Sequence, residues 1–177
     1  LNAEVARESL PADPDRAAAL LDRVVPALNA TVGEVRSVVH GLRPSALDDL
    51  GLAAALRELA ASFAGPRLRV RTVLEDDLTG LSAATEVATY RIAAEALHNA
   101  SRHAGADEVV LRARREDGRV RVSVEDDGQG MRPDHVPGVG IASMTSRAEE
   151  LGGRLGLSTG PGGRGTLVEA VLPVAIA

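Results

Sequence analysis

The chain has 177 residues and a net charge of −5 with few aromatic residues, which suits one α/β domain with a helical appendage and gives no basis for nucleic-acid binding. It has no Cys, which excludes thiol nucleophiles, disulfides and thiolate zinc sites. The chain has no Lys, and all of its residues counted as Lys or Arg are Arg. Lysine-based phosphate loops, lysine-dependent protein kinases and Schiff-base chemistry are therefore excluded too.

The N-terminal part of the chain predicts paired helices. Residues 1–9 fit the last turns of a helix, and because residue 1 is Leu rather than Met we expect a piece of a longer protein. Further on, apolar residues recur at alternating steps of four and three, a heptad spacing typical of helical bundles: Leu21, Val25, Leu28, Val32, Val35, Val39 and Leu42. Residues 1–45 are therefore predicted to form a partial dimerisation hairpin, kinked at Pro26, that pairs with a second copy.

His40 lies one residue off this heptad seam. No carboxylate directly follows it to orient the ring, so we interpret it as a partly exposed residue near a helix end rather than as a phosphoacceptor. Residues 46–66 then predict a connector with a short helix over 52–63, and the alternation of Arg with apolar residues after Pro66 predicts a strand with one polar side.

The next helix is predicted from Ser82, a suitable N-cap. Its apolar residues recur at helical steps and predict one buried face: Val87, Tyr90, Ala94 and Leu97. Glu95, Asn99 and His103 follow at i, i+4 and i+8 on a different face. A carboxylate, an amide and an imidazole in one row can hold a hydrated metal ion near a phosphate, although alone such a row more often forms a solvated surface.

A hairpin follows, with strands over 108–115 and 119–126 joined at Asp117-Gly118. Alternation places Asp126 on the same inward face as Val120, Val122 and Val124, whereas Asp127 points the other way. A buried carboxylate requires a partner, and the glycines at 128 and 130 allow a flat ligand to approach it.

The last third of the chain predicts a glycine-rich helix start and a closing strand pair. After a short mobile loop over 131–137, Gly138 and Gly140 precede a helix over 141–151, whose N-terminus favours an anion. Strands over 154–159 and 166–172 follow. The alternation of side chains along the second of them places the Thr166 hydroxyl on its inward face.

Three separated blocks now coincide: Glu95-x-x-x-Asn99, Asp126-x-Gly128-x-Gly130, and Gly138-x-Gly140 with a closing Gly165-Thr166. Together they resemble the N, G1 and G2 boxes of the GHKL ATPase superfamily. The run Leu-Arg-Pro-Ser-Ala-Leu-Asp-Asp-Leu-Gly-Leu at 42–52 and Asn-Ala-x-Arg-His-Ala at 99–104 are similar to the nitrate/nitrite-sensor subfamily of two-component sensor histidine kinases.

The resemblance implies a two-layer α/β sandwich with a mixed, mostly antiparallel sheet, preceded by a helical bundle segment, with the catalytic ATP-binding domain over 67–177. It implies that Asn99 and Glu95 are the metal-side and catalytic residues, with Asn99 a ligand of Mg²⁺ and Glu95 polarising a metal-bound water or a reacting group. On the adenine side, the resemblance implies that Asp126 accepts from the adenine amine, that Gly128 and Gly130 give the base room, and that Thr166 supports the adenine edge. On the phosphate side, it implies that Arg102 and His103 lie near the phosphates and that Gly138 and Gly140 let the following segment cover them.

The implied partners are ATP, a response-regulator protein and a second copy of the chain through the bundle, in the cytoplasm, without membrane contact by these residues. Two departures matter. The phosphoacceptor box is absent, so we expect this chain to bind ATP without phosphorylating itself. Family members often carry Met-Arg-Glu-Arg after the second glycine pair, where this chain has Met144-Thr145-Ser146-Arg147, so hydroxyls of Ser143 and Thr145 could replace the first Arg.

Two alternatives remain open at this point. A non-catalytic nucleotide-binding regulator or scaffold would bind ATP without phosphoryl transfer, and the altered residues after Gly140 are its support. A GHKL serine kinase or ATPase would also use the three boxes, but it has no need of the heptad helix or the Leu-Arg-Pro connector.

Overall fold

The computed structural model describes residues 43–75, 78–131, 138–160 and 163–174. Contacts within the chain divide it into two units, Leu1–Arg43 and Pro44–Ala177, and the described residues lie almost wholly in the second. The predicted heptad helix, His40 and most of the predicted mobile loop before Gly138 lie outside the described residues.

Five strands form one mixed sheet. The helices and strands, in chain order, are α1 Ser45–Phe63, β1 Arg69–Leu74, α2 Ala83–Asn99, β2 Glu108–Glu116, β3 Arg119–Asp126, α3 Val139–Glu150, β4 Arg154–Thr159 and β5 Thr166–Pro173, with a π-helical segment at Ala100–Ala104. The spatial order is β1-β2-β3-β5-β4, in which β1 and β2 are parallel and the other neighbours are antiparallel. The predicted mixed, mostly antiparallel sheet is confirmed.

The three α-helices of the described residues share one apolar core with a single face of the sheet. Fully buried side chains from α1, α2 and α3 meet the inward residues of the strands, and the set includes Leu56, Ile92, Leu97, Leu111, Val122, Met144 and Leu172. Burying a residue of this size contributes about 1.5–3 kcal/mol. This layer arrangement confirms the predicted two-layer sandwich. Among the described helices, none has both the length and the apolar composition needed to cross a membrane.

Helix α1 starts earlier than the sequence predicts. Residues 45–50 are already helical, and the break falls at Gly51, whose φ of 73° and ψ of 169° interrupt the helix. Both sides of the break contribute to the core, since Leu47 and Leu52 are buried. Only glycine adopts this conformation readily, so one residue separates two helical segments that pack on the same domain.

The buried face of α2 differs in part from the predicted face. Ser82 is the N-cap, as predicted, and its hydroxyl accepts from the Thr85 amide at 3.2 Å. The buried residues of the helix are Thr85, Ala88, Thr89, Ile92, Ala93, Ala96 and Leu97. Of the predicted face, Leu97 is buried and Val87 and Tyr90 are partly buried against the core, so the prediction holds there but misses the most deeply buried positions. Threonine can be buried here because its hydroxyl bonds to the backbone: Thr89 donates to the Thr85 carbonyl at 2.7 Å.

The opposite face of the sheet is polar and lacks a covering helix among the described elements. Arginines and glutamates on neighbouring strands form ion pairs there, such as Arg112–Glu125 at 2.6 Å and Arg121–Glu169 at 2.7 Å. Exposed pairs of this kind contribute little to stability. This outer face is therefore mostly polar, whereas the helix-covered inner face is apolar.

Candidate functional site

The Asp126 carboxylate lies at the inner end of β3, as alternation predicts, and its residue is only 7% exposed. Its Oδ1 accepts from the amide of Gly128 at 3.0 Å and from the amide of Thr166, the first residue of β5, at 3.2 Å. Both of these bonds end on the same oxygen. Oδ2 therefore keeps its acceptor capacity for a donor on a ligand, and the buried charge is already stabilised by two N–H groups.

Two glycines near Asp126, Gly128 and Gly165, have no space for a side chain, and a Cβ at Gly130 would lie 3.1 Å from the Gly165 carbonyl oxygen. A Cβ at Gly128 would overlap the Ala104 carbonyl, and one at Gly165 would overlap the Asp126 carbonyl. Gly130 and Gly165 also have φ of 73° and 67°. The small residues therefore allow the loop after β3, the end of the π-helical segment and the start of β5 to converge.

A second convergence joins α2 to α3. The Glu95 carboxylate lies against Gly140, where an added Cβ would overlap Glu95 Oε1. The helix starts at Val139, two residues before the predicted start. Gly138 precedes it as the N-cap, as predicted, whereas Gly140 lies inside its first turn. The first amides of a helix lack intrahelical acceptors, and here they lie next to the Glu95 side chain.

The predicted row Glu95, Asn99, His103 crosses a change of helix type. Asn99 is the half-buried last residue of α2, and the chain then continues as a π-helical segment on which Arg102 and His103 are exposed. Such segments occur often at functional sites because they widen one helical turn. The α-helical spacing used in the sequence argument therefore holds from Glu95 to Asn99 but not beyond.

Other polar groups lie between α2 and α3. The Thr145 hydroxyl donates to the Ile141 carbonyl at 3.0 Å, so its proton is not available to a phosphate. Burial, and then the positive charge of Arg147, lowers the pKa of Arg91 on α2. Arg91 lies one turn before Glu95, and sequence reasoning did not single out either arginine.

Within the described residues, no three His, Cys, Asp or Glu side chains cluster closely enough to hold an ion. Mg²⁺ commonly takes one or two protein oxygens and completes its shell with water and substrate phosphates. An amide such as Asn99 beside Glu95 fits that mode of binding.

Sequence patterns assigned no role to two residues of the loop after β3, Asp127 and Gln129. Both hydrogen-bond to segments before β2. The backbone amides that bond to Asp127 lower the pKa of its carboxyl group, and the amide of Glu108 has the largest effect. The sequence gives one indication of this role, the alternation of side-chain direction along β3. Alternation points Asp127 away from the buried Asp126, toward groups outside the core.

The chain is similar to known signalling proteins in both of its parts. A family model described as "Histidine kinase-, DNA gyrase B-, and HSP90-like ATPase" matches residues 84–176, and one described as "Histidine kinase" matches residues 1–47. Both agree with the resemblance seen in the sequence.

Individual proteins give the same result. Sensor histidine kinase MctS of Rhizobium johnstonii is 37% identical over 170 residues, covering 90% of this chain and 35% of the relative. The histidine-protein kinase/phosphatase UhpB of Salmonella typhimurium is 37% identical over 145 residues, covering 78% and 28%. The solved blue-light activated histidine kinase of Erythrobacter litoralis EL346 superimposes with a TM-score of 0.59 at 26% identity, covering 70% of this chain and 41% of that chain. The chain spans about a third of the length of these curated relatives.

Proposed function

Since the chain belongs to the histidine kinases of two-component systems and contains their ATPase domain, we propose that it binds ATP with Mg²⁺ and transfers the γ-phosphoryl group to a histidine. That histidine belongs to the dimerisation bundle of the intact protein. Transfer breaks the bond between the γ-phosphorus and the bridging oxygen, forms a bond from phosphorus to an imidazole nitrogen, and releases ADP.

The observation that carries the proposal is the Asp126 carboxylate, with Oδ1 held by two backbone amides and the residue almost fully buried. Such a group needs one more donor, and the exocyclic amine of adenine supplies it. Thr166, whose amide already bonds to Asp126, supports the edge of the same base. Gly128 and Gly130 let the loop that carries Asp126 pack closely on Ala104 and Gly165, and we assign this loop the approach of the base.

The phosphate end is proposed to lie between α2 and the start of α3. Asn99 ligates Mg²⁺, and Glu95 polarises a metal-bound water or the reacting group. Gly138 and Gly140 expose the first amides of α3 to the phosphates, where the helix dipole favours negative charge. The exposed Arg102 and His103 supply further phosphate contacts. Phosphoryl transfer depends mainly on positioning and charge neutralisation, which this set provides without lysine.

The wider proposal concerns partners. The bundle segment over 1–45 pairs with a second copy, the connector over 46–66 joins it to the ATP-binding domain over 67–177, and the phosphorylated histidine passes its phosphoryl group to an aspartate of a response regulator. Because ATP and response regulators are cytoplasmic, we place these residues in the cytoplasm. The names of the matched relatives support this route.

Asn99→Ala should remove the dependence of ATP binding on Mg²⁺. We expect Mg²⁺ to strengthen ATP binding by about tenfold in the unchanged chain and to have almost no effect in the variant, because the protein ligand is lost. Calorimetric titration with and without Mg²⁺ measures this. Ser101→Ala is the matched control, since that hydroxyl bonds only locally, to the His98 carbonyl at 2.9 Å. An equal Mg²⁺ effect in Asn99→Ala and Ser101→Ala would contradict the role given to Asn99.

Phosphoryl transfer is tested with the intact protein, whose bundle carries the proposed phosphoacceptor histidine. We expect ATP-dependent, acid-labile labelling, lost in Asn99→Ala, followed by transfer to a response regulator. Tight ATP binding without any labelling would favour a nucleotide-binding regulator or scaffold. Labelling of a serine substrate with no acid-labile product would favour a GHKL serine kinase. No ATP binding at all would reject the site.

A further inference from the structure

The loop after β3 is tied to the start of β2 through Asp127. Its Oδ1 accepts from the amides of Asp107 and Glu108 at 2.9 and 3.0 Å. The amide of Asp127 in turn donates to the Glu108 carbonyl at 3.2 Å. One short side chain therefore holds two consecutive amides of another segment, and these bonds lower the pKa of its carboxyl group, so it stays ionised at neutral pH.

The same loop is tied through Gln129 to the end of the π-helical segment that follows α2. Its side-chain Nε2 donates to the His103 carbonyl at 2.8 Å, and its amide donates to the Ala104 carbonyl at 2.9 Å. The last carbonyls of a helix have no intrahelical donor, so Gln129 satisfies two groups that would otherwise need water. Gly128 packs directly on the Ala104 carbonyl between them.

These ties lie on the outer side of the sheet. Asp107, Glu108, Asp127 and Gln129 line a cavity of about 600 Å³, whose walls include the outward residues Arg112 and Glu125 and also, at its edge with the proposed adenine end, Asp126 and Gly128. Glu95 and Gly140, at the proposed phosphate end, lie on the helix-covered side. The Oδ1 atom of Asp127 is engaged by two backbone amides, so we assign Asp127 a role in holding the loop rather than in contacting the nucleotide.

We propose that Asp127 and Gln129 are positioning residues that fix the separation between the adenine-binding loop and the end of α2 that carries Asn99. This inference rests on the proposed function. Asp126 and Asn99 lie on different elements. The hydrogen bonds of Gln129 join the loop after Asp126 to the π-helical segment that follows Asn99. Those of Asp127 join the same loop to the start of β2, where the chain continues from that segment.

The physical consequence concerns ligands that reach both ends. Mg²⁺-ATP engages the adenine loop and the metal-side helix at once, so its affinity depends on their being held at the right distance beforehand. Adenosine engages the adenine loop alone. Loss of the two ties should therefore weaken Mg²⁺-ATP much more than adenosine, whereas a damaged adenine pocket should weaken both ligands equally.

The test uses calorimetric titration of Mg²⁺-ATP and of adenosine into the unchanged chain and into Asp127→Ala/Gln129→Ala. We expect about tenfold weaker Mg²⁺-ATP binding and less than about twofold weaker adenosine binding in the double variant. Asp127→Asn retains an oxygen acceptor for both amides and should restore most of the affinity when Gln129 is unchanged. Glu125→Gln, on the same outer face, is the matched control and should bind like the unchanged chain.

Hydrogen exchange without nucleotide gives a second readout. The amides of Asp107 and Glu108 should exchange faster in Asp127→Ala but not in Glu125→Gln. If the double variant does not fold, Gln129→Met, which keeps the size and removes the donor, replaces it. Equal weakening of both ligands, or no change in either, would overturn the positioning role while leaving the proposed ATP site intact. If the unchanged chain binds neither ligand, the proposed function fails and this inference falls with it.

Discussion

Asp126→Asn should weaken ATP binding by about 100-fold, equivalent to about 2.7 kcal/mol, without unfolding the domain. Asparagine has the same shape, and its oxygen can keep the bonds from the amides of Gly128 and Thr166, which both end on Oδ1. Its NH₂ group then stands in place of Oδ2, so a donor faces the adenine amine where an anionic acceptor stood. Calorimetry measures the affinity, and thermal unfolding verifies the fold.

A second ligand makes this test more specific. Guanine carries an oxygen where adenine carries the amine, so Asp126→Asn should narrow the preference for ATP over GTP as well as weaken ATP binding. Glu125→Gln, the neighbouring carboxylate on the outer face, should leave both affinities unchanged. If Asp126→Asn binds ATP as tightly as the unchanged chain, the adenine end has been assigned to the wrong residue.

Gly165→Ala should destabilise the domain by about 2–4 kcal/mol and also remove ATP binding. The added Cβ would overlap the Asp126 carbonyl and lie 3.0 Å from Asp126 Oδ1, and neither the backbone nor a hydrogen-bonded carboxylate moves away easily. The φ of 67° at Gly165 adds a conformational cost of about 1 kcal/mol. Relief of the overlap would separate β5 from the end of β3 and break the bond from the Thr166 amide. Urea unfolding and ATP titration measure the two effects.

Gly163→Ala is the matched control for this substitution. Gly163 also has a positive φ, 71°, but nothing lies within 4 Å of the position that its Cβ would occupy. It should therefore show only the conformational cost of about 1 kcal/mol and normal ATP binding. If the two alanine variants unfold at the same urea concentration, the close approach of β5 to Asp126 does not limit stability.

The sequence predicted much of the sheet because strand alternation is a local property. The hairpin of β2 and β3, the closing pair of β4 and β5, and the inward direction of Asp126 all follow from a period of two, and the structure confirms them. Helix faces were harder. A buried Thr89 reads as polar in a pattern, and only the folded chain reveals that its hydroxyl bonds to the backbone.

The family and the fold were thus determined by the sequence itself, since the three sequence blocks and the alternating strands are local and specific, and the family matches confirm the resemblance. Only the tertiary structure decided how those blocks touch. It brought Glu95 against Gly140, Gly165 against Asp126, and Gln129 against the end of the π-helical segment. These contacts join residues far apart in the chain, and their geometry depends on how the helices pack on the sheet, which no local pattern encodes.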